Sequence, residues 1–394
     1  MKKKTKRLTY AMVGGARGSF IGPIHRMAIR MDNLADLVAG CFSRDPKVNA
    51  VSGEKLQLDP TRVYSDWRKL IAAEADRLDF LVVCTTNETH YPVAKAALEA
   101  GLDVFCEKPL SLTVKEAEEL GRIAKRKRLI LGIPFTYTGY PMVKLARDLV
   151  KKGELGKIDK VVLEYVQGSF RKIDFTKPLD KRNAWKMNPK VSGPSCVVAD
   201  IGVHAFTMIE YVTGLEAKTL LADLSSFAPG NRLDDDASIL MRLGGRSSAS
   251  FTRSRTAKGS SSSAKASLVV SKVATGEENG VRLRVYGDKA SLYWDQEAPN
   301  YLSVKYPLKP EMTFKRKAPY MADLSEGAQR ASRFPAGHHE GFVEALGNIY
   351  DEFVAAVVSR KARDFPDARA GIRSMRFVEA ALKSAKSGNR WTKL

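Results

Sequence analysis

Residues 81–109 read LVVCTTNETHYPVAKAALEAGLDVFCEKP. A short apolar run at 80–84 leads into a polar turn at 85–89, and an alanine-rich helical pattern follows from Pro92 to Ala100. Gly101 stops it, and a second apolar run, 103–106, ends in Glu107-Lys108-Pro109. Two β-rich runs bracketing a helix make a βαβ unit, whose strands are parallel neighbours with their carboxyl ends at one crevice. Open parallel sheets bind ligands in such a crevice. A Glu-Lys pair closing a buried strand is costly unless water, a counter-charge or a ligand satisfies it. A solvated strand-to-helix turn is the other reading of the same residues.

Upstream, the apolar strand 8–13 runs into Gly14-Gly15-Ala16-Arg17-Gly18-Ser19-Phe20-Ile21-Gly22, and a helical pattern follows from Pro23 to Met31. Strand, glycine turn and helix in that order let backbone approach a pyrophosphate, which then sits at a helix N-terminus. This assigns Gly14, Gly15, Ala16, Gly18, Phe20 and Ile21 to a cofactor loop. The spacing departs from G-x-G-x-x-G, because Ala16 takes the middle place and Gly22 comes late. The next strand, 35–42, ends at Ser43-Arg44 where the fingerprint expects an acidic residue for the adenosine ribose. A hydroxyl and a guanidinium suit a 2′-phosphate, so the cofactor is NAD or NADP with a lean to NADP.

Helices are expected around 46–56, from Trp67, and over 113–128, the last with Thr113 and Glu116 forming a capping box. A short segment at 63–64 and a sixth strand at 129–133 complete a doubly wound N-terminal domain, residues 1–134. Beyond it the grammar changes. A helix at 141–152 precedes alternating strands at 158–165, 219–225, 238–243, 268–273, 281–286, 291–294 and 301–304. Few long helices separate them, so residues 135–394 form an α+β domain with a large, open, mostly antiparallel sheet. Its last helices, 342–358 and 368–386, can pack back on the first domain.

At 44% apolar, the 394-residue chain can bury a large core. No apolar run approaches a membrane span of about 20 residues. The basic start lacks an h-region and cleavage site, so a cytoplasmic protein is expected. Cys41, Cys84, Cys106 and Cys196 show no CxxC pairing and read as reduced core thiols. The net charge is +21, but residues 1–133 carry 23 Lys+Arg against 16 Asp+Glu, about a third of the excess in a third of the chain. Charge spread in this way argues against a nucleic-acid interface and for a field attracting an anionic cofactor or substrate.

Residues 193–214 read as a loop entering a helix that Gly214 stops. Asp200 and His204 stand four apart and face the same way on a helix. A carboxylate beside an imidazole suits proton abstraction from an alcohol; Asp200 as an N-cap with His204 on the helix face is the alternative. The stretch 246–266, rich in Ser and Arg, reads as an insertion between strands, either a flexible hairpin loop or a substrate lid. Gly337-His338-His339-Glu340-Gly341 lacks metal-ligand spacing, so no metal is expected, and His338 is placed at a substrate cleft.

Together, the glycine loop, Thr85-Thr86-Asn87 with His90, Glu107-Lys108-Pro109, Tyr137-Thr138-Gly139-Tyr140-Pro141 and Asp200-x-Gly202-x-His204 resemble the Gfo/Idh/MocA family of nicotinamide-dependent oxidoreductases. The resemblance covers almost the whole chain, although Ser192-Gly193-Pro194-Ser195 carries fewer glycines than the family pattern. It implies that Thr85, Thr86, Asn87, His90 and Glu107 border the cofactor and that Lys108 lies beside the nicotinamide ring. It also implies that Trp185, in the loop with Arg182-Asn183, approaches the cofactor, and that dimers or tetramers form through the C-terminal sheet. The expectation is an NAD(P)-dependent dehydrogenase moving hydride to or from a carbinol carbon of a sugar or cyclitol. His204 takes the proton, Lys108 assists, Asp200 orients, and Tyr137 and His338 touch substrate. A redox-assisted glycosidase and a non-catalytic cofactor-sensing regulator use the same parts.

Overall fold

The structure, a computed structural model, describes residues 7–180, 184–245 and 263–394. The basic tail at 2–6, Arg182 and Asn183, and 246–262 of the Ser/Arg-rich stretch lie outside the described residues. The chain divides into two compact units: Met1–Gly139 with Asn188–Gly193 and Phe342–Met375, and Tyr140–Met187 with Pro194–Gly341 and Arg376–Leu394.

In the first unit, β1 (Leu8–Gly14), β2 (Ala35–Cys41), β3 (Phe80–Cys84), β4 (Asp103–Cys106) and β5 (Leu131–Gly132) form a parallel sheet in the order β2-β1-β3-β4-β5. Val63 adds one parallel bridge to Gly40 on the far side of β2. Counting that bridge as a strand, the order becomes the 3-2-1-4-5-6 of a dinucleotide-binding fold. The third strand is stunted because the 3₁₀ turn Pro60–Arg62 ends just before it and Asp66 caps the next helix just after.

Three helices of this unit start where short polar side chains accept backbone N–H groups. Asp45 caps α2 (Pro46–Lys55), Asp66 caps α3 (Trp67–Glu74), and Thr113 with Glu116 closes the expected capping box on α5 (Val114–Lys127). α4 (Asn87–Glu99) corrects one expectation, because it starts five residues before Pro92. The proline forgoes one bond to the Glu88 carbonyl in the second turn. Burial of Val93, Ala94, Ala97 and Leu98 outweighs that loss. α1 (Ile21–Met31) and the later helix Phe342–Ser359 share one core with the sheet, in which Phe353 meets Phe80 and Phe105 edge-on.

The second unit holds α6 (Pro141–Lys151), α7 (Val203–Thr213) and, among the described residues, a nine-stranded sheet in the order β13-β12-β11-β10-β6-β9-β8-β7-β14. Its strands are β6 (Ile158–Val166), β7 (Glu216–Ser225), β8 (Asp236–Gly244), β9 (Ala264–Ser271), β10 (Gly280–Gly287), β11 (Ser291–Asp295), β12 (Tyr301–Tyr306), β13 (Lys309–Lys315) and β14 (Thr392–Lys393). Every pairing is antiparallel except that of β6 with β9.

Two further corrections concern strand limits. The stretch expected as an insertion to 266 is already strand at Ala264, since Ala264, Ala266, Leu268 and Val270 alternate into the core. The edge strands β13 and β14 were not anticipated, because they bury almost nothing and so carry no apolar alternation. All four cysteines are free and buried.

Candidate active site

The first unit supplies a rim of loops at the carboxyl ends of β1, β3 and β4. Gly14 pairs in register with Cys84 and Val83 with Cys106, so three chain segments leave the sheet side by side. Gly14 has φ +85°, and a Cβ there would lie 2.3 Å from the Cys84 carbonyl oxygen. A Cβ on Gly22 would lie 2.3 Å from Gly15 Cα. The late glycine is therefore the one that brings helix against strand, which accounts for the irregular spacing. Gly18 (φ +86°) and Arg17 are exposed, Ala16 is half-buried and Phe20 is 72% exposed. α1 starts at Ile21 with no side-chain cap and no acidic residue in its first turn. A glycine cradle before an uncapped helix N-terminus fits a dinucleotide pyrophosphate.

Beyond β2, the Ser43 hydroxyl accepts from the Asp45 N–H at 3.1 Å while the Asp45 carboxylate caps α2. Arg44 is exposed. After β3, Thr86 Oγ1 donates to Glu88 Oε1 at 2.9 Å and Asn87 Nδ2 donates to the Ser192 carbonyl at 2.8 Å. His90 is buried, its ring nitrogens 2.8 Å from the Pro109 carbonyl oxygen and 3.1 Å from that of Thr85. Burial holds this imidazole below its ordinary pKa against the pull of the two carbonyls. It ties the loop after β3 to the loop after β4 from beneath.

Glu107 is likewise turned inward. Its Oε1 lies 2.8 Å from His25 Nε2, and its Oε2 accepts the Lys108 N–H at 3.0 Å. His25 Nδ1 lies 2.6 Å from the Tyr350 hydroxyl. Burial opposes charge on His25, but Cys84 and the Glu107 carboxylate overcome it, and the imidazole is pushed up to about 10. Burial likewise opposes charge on Glu107, yet His25 holds its carboxyl below the ordinary range. The two form an imidazolium–carboxylate pair beneath the backbone of Lys108, which is half-buried and followed by cis-Pro109. Tyr137 is buried in the turn Thr136–Gly139, with its ring edge-on to Phe342.

In the second unit, Asp200 belongs to a π-helical turn, Val198–Gly202, that runs directly into α7, so it is not the N-cap of that helix. Such turns recur at functional sites. Asp234 holds the entrance: its Oδ1 accepts from the Cys196 N–H at 2.8 Å, and its Oδ2 from the Ser195 hydroxyl at 2.9 Å and the Val198 N–H at 3.0 Å. The Asp200 carboxylate bonds the Lys272 ammonium, whose side chain is 3% exposed against 34% for Asp200. His204, buried one turn on, lies 6.4 Å from the Tyr165 ring.

Trp185 is half-buried in the turn Trp185–Met187, with Lys186 Nζ 5.9 Å from its ring. His338 and His339 are exposed. Glu340 is buried and paired with Arg316 at 2.7 Å, and Arg316 also donates to the Phe334, Pro335 and His338 carbonyls. Sequence reasoning missed His25, Tyr350, Asp234 and Lys272.

Residues 8–135 match the oxidoreductase family with an NAD-binding Rossmann fold, and residues 147–394 match that family's C-terminal alpha/beta domain. The chain belongs to the Gfo/Idh/MocA oxidoreductase family. It is 33% identical over 402 residues to the uncharacterized oxidoreductase YfiI of Bacillus subtilis (strain 168), covering 98% of this chain and 97% of that protein. An inositol dehydrogenase homologue from Azotobacter vinelandii, solved with NAD+, is similar at a TM-score of 0.90 and 33% identity, covering 99% of this chain and 98% of that one. The same homologue solved with NADH and myo-inositol is similar at a TM-score of 0.86 over the same shares. The levoglucosan dehydrogenase of Pseudarthrobacter phenanthrenivorans is 26% identical over 75% of this chain and 76% of that protein. Among the described residues, no helix is long and apolar enough to cross a membrane.

Proposed function

We propose that this protein is a cytoplasmic NAD-dependent dehydrogenase acting on a secondary hydroxyl of a cyclitol or sugar. The observation that carries the reading is the carboxylate of Asp200, braced from its buried side by Lys272 and followed one turn later by the His204 imidazole. The likeness at 33% identity to an inositol dehydrogenase homologue solved with NADH and myo-inositol supports the substrate class.

The bound dinucleotide supplies hydride acceptance at its nicotinamide ring. His204 receives the substrate hydroxyl proton, and Asp200 accepts a hydrogen bond from a hydroxyl and so fixes which carbon is presented. Lys108 contributes an ammonium at the reacting end, and His25 with Glu107 sets its backbone. Gly14, Gly15, Ala16, Gly18, Phe20 and Ile21 hold the pyrophosphate, and Ser43 with Arg44 meets the adenosine ribose. Thr85, Thr86 and Asn87 border the cofactor, while Glu107 and His90 act on it through the loops they fix. Tyr137, Trp185 and His338 are assigned to shaping the reaction space. The NAD-bound relatives favour NAD over NADP, and Arg44 is the group a 2′-phosphate would use.

Near-ultraviolet absorbance of reduced cofactor, followed with NAD+ and NADP+ across inositols, monosaccharides and glycosides, tests this reading. Turnover of at least one polyol with NAD+, lost in Lys108→Ala, is the expected result. Tight NADH binding with no turnover of any polyol would overturn it and point to a regulator or a redox-neutral glycosidase.

A further inference from the structure

Lys272 follows β9 at the inward-facing parity and is the charged group most deeply buried beside Asp200. Its backbone is fixed from two sides: its N–H donates to the Asp235 carbonyl at 2.8 Å, and its carbonyl accepts from the Phe170 N–H at 2.9 Å. The ammonium lies 5.0 Å from the Phe170 ring, and Phe170 packs with Cys196, Leu233 and Val273 in a small apolar cluster. Burial opposes charge there, but Asp200 and Cys196 outweigh it and keep the lysine's pKa above its ordinary value.

Replacing such a pair with apolar groups of similar size is often neutral for stability, so folding alone does not demand a lysine in this pocket. The asymmetry of exposure supplies a demand. The lysine side chain is 3% exposed, against 34% for the side chain of Asp200. Charge is thus delivered from a buried residue to a part-exposed acid.

We propose that Lys272 is a positioning residue for the reaction, its ammonium orienting the Asp200 carboxylate to receive a substrate hydroxyl. This rests on the reading that Asp200 and His204 serve the hydroxyl being oxidised. Misplacing a catalytic group by an ångström costs about 10²-fold in rate. Lys272→Met is expected to lower kcat/KM by about that factor while NADH affinity, read by nicotinamide fluorescence, stays within about twofold. In Asp200→Asn the second change should add little, because its target is gone.

The test compares kcat/KM for wild type, K272M, D200N and the double variant on the polyol that wild type oxidises, with NADH binding as the check that each is folded. A second arm adds ethylammonium, and separately ethanol, to Lys272→Ala. Loss in K272M, no further loss in the double variant, and rescue by ethylammonium alone support the proposal. K272M at the wild-type rate, losses that multiply, or equal rescue by ethanol overturn it. Undiminished turnover in D200N, or no turnover of any polyol by wild type, would instead sink the reading beneath it.

Discussion

Nε2 of His25 lies 2.8 Å from Oε1 of Glu107, the residue immediately before Lys108, with both side chains buried. The pair joins the first helix after the glycine loop to the end of β4, and Tyr350 of the helix Phe342–Ser359 closes the chain of bonds at His25 Nδ1. Breaking a buried pair by removing one member costs about 3–5 kcal/mol. His25→Ala is expected to lose stability of that order in urea unfolding.

The same pair predicts a pH dependence. The folded pKa of His25 is raised from 6.5 to about 10, so its contribution is complete below the unfolded value and is lost as pH rises through 10. Glu107 is depressed below 4.5, so its contribution is present above that value and is lost as pH falls through the lowered one. Wild-type stability should therefore exceed that of His25→Gln most between those unfolded values, and the gap should close toward alkaline pH. A gap constant from neutral pH through 10 would refute the charged pair.

Gly22 offers a separate test of the cofactor loop. Since a Cβ there would meet Gly15 Cα at 2.3 Å, Gly22→Ala must push helix and glycine turn apart. NADH affinity should fall by at least about tenfold, or about 1.4 kcal/mol. Gly101→Ala is the comparison for stability alone: its added Cβ meets nothing within 4 Å, but its φ of +92° strains the backbone far from the loop.

Much of this was legible in the sequence for a local reason. In the capping box Thr113 and Glu116 stand three apart, and Asp200 and His204 span one turn, so each pattern lies within a short window. His25 and Glu107 are 82 residues apart, and Asp200 and Lys272 are 72 apart. Only the fold brings such pairs together. Lys272 did leave a trace: Ala266, Leu268 and Val270 alternate inward, and the next position of that parity is a lysine. Pro92 reads in the sequence as a first-turn residue, whereas burial of the following face lets α4 begin at Asn87 and run through it.

Arg44, the group proposed to meet a 2′-phosphate, is exposed beyond β2. A guanidinium–phosphate contact is worth about 1.5–3 kcal/mol. Arg44→Ala should cost roughly tenfold or more in kcat/KM with NADP+ and leave NAD+ within about threefold. Equal losses with both cofactors would place Arg44 outside the ribose site.

The most direct measurement follows the hydrogen itself. A polyol of the proposed substrate class would be prepared with deuterium on the carbinol carbon and incubated with NAD+, and the cofactor product would be examined by mass spectrometry. Deuterium is expected in the nicotinamide ring, with a turnover rate that collapses in His204→Gln while NADH binding is kept. Product cofactor without label, or label washed into water, would contradict hydride transfer from a carbinol carbon.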